Sequence, residues 1–242
     1  MQNVLIYGGL SVLPLVIGAY LGSFFHFNKK IIGFISALGA GAMIAALTSG
    51  LMEESFRLGG FDNSIIGFIA GGLIFIIGDL IIIKIGGRGH KKFYDVENST
   101  GWGIVLGAML DGIPESIALG ISILLNPVVG LLVLVGIFAS NFPEGISSAY
   151  DLKAQKKSIK EIMFTWVAVA VICFIFVILG YTIFSGLSPG IVSTFESIAA
   201  GAILAMLAST MMPEAYKEGG LNSSFATIIG FVIIFIISKL GV

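Results

Sequence analysis

Leu110-Asp111-Gly112-Ile113-Pro114-Glu115-Ser116-Ile117 and Ala139-Ser140-Asn141-Phe142-Pro143-Glu144-Gly145-Ile146 align at an offset of 29 residues. Each sets a carboxylate beside a proline inside a long apolar stretch. An ionisable group at the centre of a bilayer helix costs roughly 2.5–3.5 kcal/mol. Left without partners, Asp111, Glu115 and Glu144 would together cost on the order of 8–10 kcal/mol. A membrane protein tolerates that at a cation pathway or a catalytic centre, and seldom elsewhere.

Working outward, the rest of the chain has the composition of an integral membrane protein. It is 57% hydrophobic and 11% charged, with a mean hydropathy of +1.04, whereas a soluble domain has about 25% charged residues. Apolar stretches of twenty residues without alternation exclude a β-barrel. The net charge of −1 says nothing about nucleic acid, but there is no basic domain to bind it, so none is expected as a partner. The single cysteine, Cys173, lies in an apolar run and has no partner for an intramolecular disulfide.

The expected fold class is all-α integral membrane, one transmembrane domain over 1–242. Eight stretches are long enough to span: about 4–25, 31–53, 63–84, 101–125, 127–150, 161–184, 190–213 and 222–239. Span 1 has no basic region before it and reads as a retained helix. Loops on one side carry Lys29, Lys30, Lys84, Arg88, Lys91, Lys92, Lys153, Lys156, Lys157, Lys160 and Lys217; the other side has Arg57 and Lys239. The positive-inside bias therefore places both termini outside and makes loops 85–100 and 151–160 cytosolic.

A longer repeat runs at an offset of 160. Ala40-Gly41-Ala42-Met43 through Glu54, Arg57, Gly59-Gly60 and Ser64 matches Ala200-Gly201-Ala202-Ile203 through Glu214, Lys217, Gly219-Gly220 and Ser224. The similarity extends to Ile66-Gly67-Phe68 against Ile229-Gly230-Phe231. An odd number of spans separates the copies, so they are expected upside down relative to each other, as are spans 4 and 5. The result is a 3+2+3 inverted-repeat arrangement, which marks secondary transporters with a site at the midplane.

Depth points to the same place. Asp111 is about 15 Å into span 4, and Ser140 and Asn141 about 20 Å into span 5, in a core about 30 Å thick. Asp111 and Glu115 share one helix face at i, i+4, as do Ser140 and Glu144. Pro114 and Pro143 each remove a backbone donor and free the carbonyls of Leu110 and Ala139, which a bound cation or water, or a neighbouring hydroxyl, must then satisfy.

With these motifs in hand, the chain resembles the ZIP (ZRT/IRT-like protein) family of divalent-metal transporters, as a divergent bacterial-type member. Asn141-Phe142-Pro143-Glu144-Gly145 is similar to that family's helix 5 signature, and Asp111-Gly112-Ile113-Pro114-Glu115 to its helix 4 signature, His-Asn-x-Pro-Glu-Gly. The resemblance implies a plasma-membrane, multi-pass secondary transporter moving divalent metal of the Zn²⁺, Fe²⁺, Mn²⁺ class into the cytosol by alternating access. It makes Asp111, Glu115, Ser140, Asn141 and Glu144 the candidate ligands, with the metal as transported substrate and no prosthetic group, and it implies a scaffold that often forms a homodimer. Asp111 stands where the family usually has histidine, Gly112 where it has asparagine, and Ser140 where histidine or glutamine is common. Span 6 has no carboxylate inside the membrane. An all-oxygen ligand set favours harder cations than a histidine-bearing one, so Mn²⁺ and Fe²⁺ are expected to compete well with zinc.

Glu54 and Glu214 are related by the 160-residue offset, and with Glu196 read either as pathway mouths or as ordinary helix ends. His26 and His90 read as surface groups, and Met43 as packing. Gly18-x-x-x-Gly22 and Gly67-x-x-x-Gly71 predict close helix contacts. An enzyme is not expected: His-Glu-x-x-His is absent, and Asp79 and Asp111, the only aspartate pair within the spans, lie at different depths. A proton or organic-cation carrier on the same fold remains the alternative, because the carboxylates alone would bind either.

Overall fold

Gly60 sets the topology of the first third of the chain. In the computed structural model, which describes residues 1–84 and 101–240 and, in the second stretch, side chains from 105 onward, Gly60 has φ 74° and ψ −173° in the middle of a helical run. A continuous run from Lys29 to Lys84, 56 residues, would be about 84 Å long at 1.5 Å per residue. Instead the chain turns back on itself. Ser55 Oγ and Ser64 Oγ, nine positions apart, are 2.9 Å from each other.

The described residues form α1 (Gln2–Phe24), α2 (Lys29–Ala46), α3 (Glu53–Lys84), α4 (Gly101–Leu125), α5 (Pro127–Ala154), α6 (Ile159–Phe184), α7 (Pro189–Met206), α8 (Met212–Gly219) and α9 (Leu221–Leu240). Among the described residues, seven helical runs are long and apolar enough to cross a membrane. The expected eight differ from these because spans 31–53 and 63–84 are joined by helical backbone up to and beyond Gly60. The basic loop 85–100, with His90, lies outside the described residues.

Local chemistry sets the helix starts. Asn28 and Asn126 each accept a hydrogen bond from the backbone N–H two residues on, and Ser158 with Glu161 forms a reciprocal capping box. Pro127 and Pro189 occupy first-turn positions, where a missing N–H costs nothing. Pro114 and Pro143 sit inside α4 and α5 without ending them.

The helices pack as two groups. In one, α1 lies against α5 and α6, and α4 against α5 and α6; in the other, α2 packs on α9 and α8, and α3 on α7. The groups meet where α2 crosses α5 and where α4 crosses α7. Glycines make the closest contacts within each group. A Cβ on Gly41 would lie 1.9 Å from the Thr227 carbonyl oxygen, and one on Gly18 2.4 Å from that of Phe142. Such spacing gains dispersion energy and Cα–H···O contacts where lipid supplies no hydrophobic drive.

The two segments matched at an offset of 160 have common local features. A π-helical turn occupies Leu47–Met52 in one and Leu207–Met211 in the other, and each segment then reaches a glycine with positive φ, Gly60 at 74° and Gly220 at 62°. Beyond those glycines the expected register is shifted. Gly71 faces the Ile198 carbonyl and Gly230 the Leu38 carbonyl, each at 1.9 Å from a built Cβ. Gly230 therefore corresponds to Gly71 rather than Gly67. In the same register Ser64, which donates to Gly60 O, corresponds to Ser223, which donates to Ala215 O, rather than to Ser224. The second turn is one residue shorter, and repeated Ile-Gly-Phe triplets masked the shift.

The turns lie at different helix starts. Gly59 sits against Ser193 near the beginning of α7, and Gly219 against Gly33 near the beginning of α2. Ser55 Oγ contacts Ser193 O at 2.9 Å and Ser193 Oγ donates to Ser55 O at 2.8 Å, fastening the first turn to α7. A side chain at Gly60 would hold a backbone region costing about 1–3 kcal/mol for other residues. Gly60→Ala is accordingly expected to lower Tm by about 3–10 °C in a thermal melt of the detergent-solubilised protein.

Candidate functional site

The two proline motifs face each other. Asp111 and Glu115 on α4, and Ser140, Pro143 and Glu144 on α5, line one cavity of about 700 Å³, counting the space at its mouth. Glu115 is 3% exposed and within Coulombic reach of both Glu144 and Asp111. The i, i+4 spacing accounts for this. Each helix presents its acidic face to the other, and the remaining walls come from α2 and from the α7–α8 junction.

Glu214 completes the acidic lining at the cavity's mouth, where Ser147 Oγ donates to its Oε1 at 3.1 Å. That mouth is at the end of the bundle where Lys29, Asp151, Lys217 and Glu218 influence one another. Leu119, Ile123, Val133, Ile137, Leu47 and Ile203 are packed with the cavity-lining Met206 into one buried cluster.

Three expected site residues are placed differently. Asn141 is buried and does not line the cavity; its Nδ2 donates to Ser11 O on α1 at 2.9 Å. Glu54 is 5% exposed and ion-pairs with Arg57. Glu196 is fully buried between helices, away from the cavity. Of the three glutamates read as possible pathway mouths, Glu214 lines the cavity and Glu54 and Glu196 do not. Arg57 holds Glu54, and Lys239 Nζ lies 3.9 Å from Glu53.

The freed Ala139 carbonyl does not reach the cavity either. A Cβ on Gly39 would lie 2.7 Å from it, so α2 covers it closely. His26 stacks on Tyr150 with ring centroids 5.7 Å apart and contributes nothing to the site. Met43 is packing, as expected; a Cβ on Gly136 would meet its sulfur at 2.5 Å.

Sequence reasoning missed Ser36, Ser147, Ser148, Thr210, Met206 and Met211, all of which line the cavity. Helical spacing offered a signal for some of them: Ser147 and Ser148 follow Glu144 by three and four residues, and Thr210 precedes Glu214 by four. Among the described residues, the cavity donors are thus carboxylates and hydroxyls, with two thioethers and no imidazole. Among the described residues, no three His, Cys, Asp or Glu side chains converge tightly enough to hold a metal ion. The cavity carboxylates are spread around its wall rather than drawn to one point.

Gly112 and Cys173 have a packing relationship. A Cβ on Gly112 would lie 2.7 Å from the buried Cys173 sulfur, so α6 fills the space a side chain at 112 needs. Gly112→Ala is expected to destabilise the protein by about 1–3 kcal/mol, the usual cost of overpacking. Cys173→Ala in the same chain should recover most of the loss in Tm; equal Tm values for Gly112→Ala and wild type would refute the contact.

By fold and site the chain is a multi-pass helical membrane protein with an acidic cavity inside the bundle. It matches no family model and no curated relative.

Proposed function

We propose that the chain is a secondary transporter of divalent cations, working by alternating access through the cavity between α4 and α5, on the architecture of the ZIP family. The observation that carries this reading is the convergence of Asp111, Glu115, Glu144 and Glu214 on one cavity. One buried carboxylate, Glu115, with three half-buried ones beside it is tolerated in a bilayer when a cation passes among them.

In this reading the spans number eight, divided at Gly60, in a 3+2+3 inverted arrangement. Support comes from the paired π-helical turns and the positive-φ glycines at an offset of 160. Further support is that the two turns abut the starts of different helices, α7 and α2. The positive-inside bias then sets both termini outside a plasma membrane and makes the open mouth cytosolic.

Oxygen donors with no imidazole favour Mn²⁺ and Fe²⁺ over a strong zinc preference. Uptake of Mn²⁺, Fe²⁺, Zn²⁺ and Cd²⁺ into liposomes bearing the purified chain tests both points. Saturable uptake of at least one metal is expected, with Mn²⁺ competing at concentrations comparable to Zn²⁺. Zinc winning by orders of magnitude would sink the oxygen-ligand argument. The second reading, a proton or organic-cation carrier on the same fold, is favoured by one observation: no three acidic side chains draw together tightly among the described residues. Flux of an organic cation with none of any metal would decide for it.

A further inference from the structure

Glu196 is the one glutamate on α7, and it is used by nothing above. It has no exposed surface, and neither carboxylate oxygen has a hydrogen-bond partner. The hydroxyl of Ser122 on α4 faces the same carboxylate and is likewise buried without a partner. From α3, Glu54 and Arg57 are the charged groups that reach it, and they are already bonded to each other. From α4 it meets Ser122 and no charge.

A bare carboxylate in this position would be an uncompensated charge in a low-dielectric interior, which costs far more than a hydrogen bond returns. Something positive must accompany it. A metal ion needs several oxygens, whereas Glu54 is engaged with Arg57 and the guanidinium repels a second cation. A proton needs no coordination shell. Placed on one carboxylate oxygen, it turns two orphaned groups into a donor and an acceptor, Glu196 O–H to Ser122 Oγ.

We propose that Glu196 is a proton-binding site, holding a proton hydrogen-bonded to Ser122 while the α4–α7 seam is shut and giving it to water when the seam opens. The location joins it to the cavity. Ser122 follows Glu115 by seven residues on α4, two turns along the same face, and α7 runs on from Glu196 to Met206 in the cavity wall. Movement of α4 against α7 would admit water to Glu196, break its O–H bond, pass the proton to that water and leave a solvated carboxylate. The coupling of that proton to cation movement rests on the transport reading above; the proton site itself does not.

Infrared spectra of the full chain in lipid nanodiscs test the site. At neutral pH the wild type is expected to show a protonated carboxylic C=O band that Glu196→Gln lacks and that Ser122→Ala shifts to higher frequency. Glutamine imitates the neutral acid in shape, so this variant retains the fold. Identical spectra for wild type and Glu196→Gln would overturn the proposal, as would a band that is absent while Na⁺ alone raises Tm in a Glu196-dependent way. In liposomes, metal uptake by Glu196→Gln should lose the pH dependence of the wild type; an unchanged pH profile would overturn the release step. A chain that shows the band yet carries no metal keeps the proton site and removes the transport reading.

Discussion

The double variant Glu115→Gln/Glu144→Gln is expected to lose saturable metal uptake in liposomes by at least about 100-fold, while eluting and melting like the wild type. Two unit charges 4 Å apart interact by about 4 kcal/mol at an effective dielectric of 20, and a divalent ion doubles that. Even a sixth of such an attraction, lost from each of the two carboxylates, amounts to about two decades in occupancy. Glutamine preserves volume, so packing is spared. Removing negative charge from the cavity also relieves the repulsion among Asp111, Glu115 and Glu144, so Tm should hold or rise. Ser140→Ala provides the contrast: its hydroxyl already donates to the Ile137 carbonyl at 3.0 Å, and its removal should change uptake only severalfold. A folded double variant that transports as the wild type does would place the pathway elsewhere.

Gly201→Leu is expected to have the largest effect on stability, on the order of 3 kcal/mol or more, seen as loss of the monodisperse peak and a Tm reduced by more than about 8 °C. A Cβ at 201 would lie 1.9 Å from the Phe68 carbonyl oxygen and 3.0 Å from the Gly72 nitrogen. Those are backbone atoms and cannot swing aside as a side-chain tip can. Leucine would force α7 away from α3 by more than an ångström along their whole contact. The Gly71 approach to Ile198 and the Ser55–Ser193 hydrogen bonds belong to the same seam and would be lost with it. Gly9→Leu is the control, since nothing lies within 4 Å of a Cβ there. If both variants melt alike, the helices do not pack as described.

These two expectations draw on different levels of the chain. The helical membrane class followed from composition, because transfer of apolar residues from water is additive and needs no partner to be known. The pairing of Asp111 with Glu115 and of Ser140 with Glu144 followed from 3.6 residues per turn. The glycine and π-turn correspondences at an offset of 160 could be anticipated from repeated letters up to Gly60. Beyond it the one-residue shortening broke the register, and in a helix of Ile, Gly and Phe a displaced match looks as good as the true one.

What the sequence by itself determined is therefore local and additive: which stretches are helical and apolar, which faces carry carboxylates, and which residues cap or break a helix. Tertiary structure alone decided partnership. It gave Asn141 to the Ser11 carbonyl, Glu54 to Arg57 and Glu214 to the cavity mouth, and it left Glu196 without a bond. A polar side chain's role depends on whichever group from a distant helix arrives within 3 Å of it, and a one-dimensional pattern does not encode that distance.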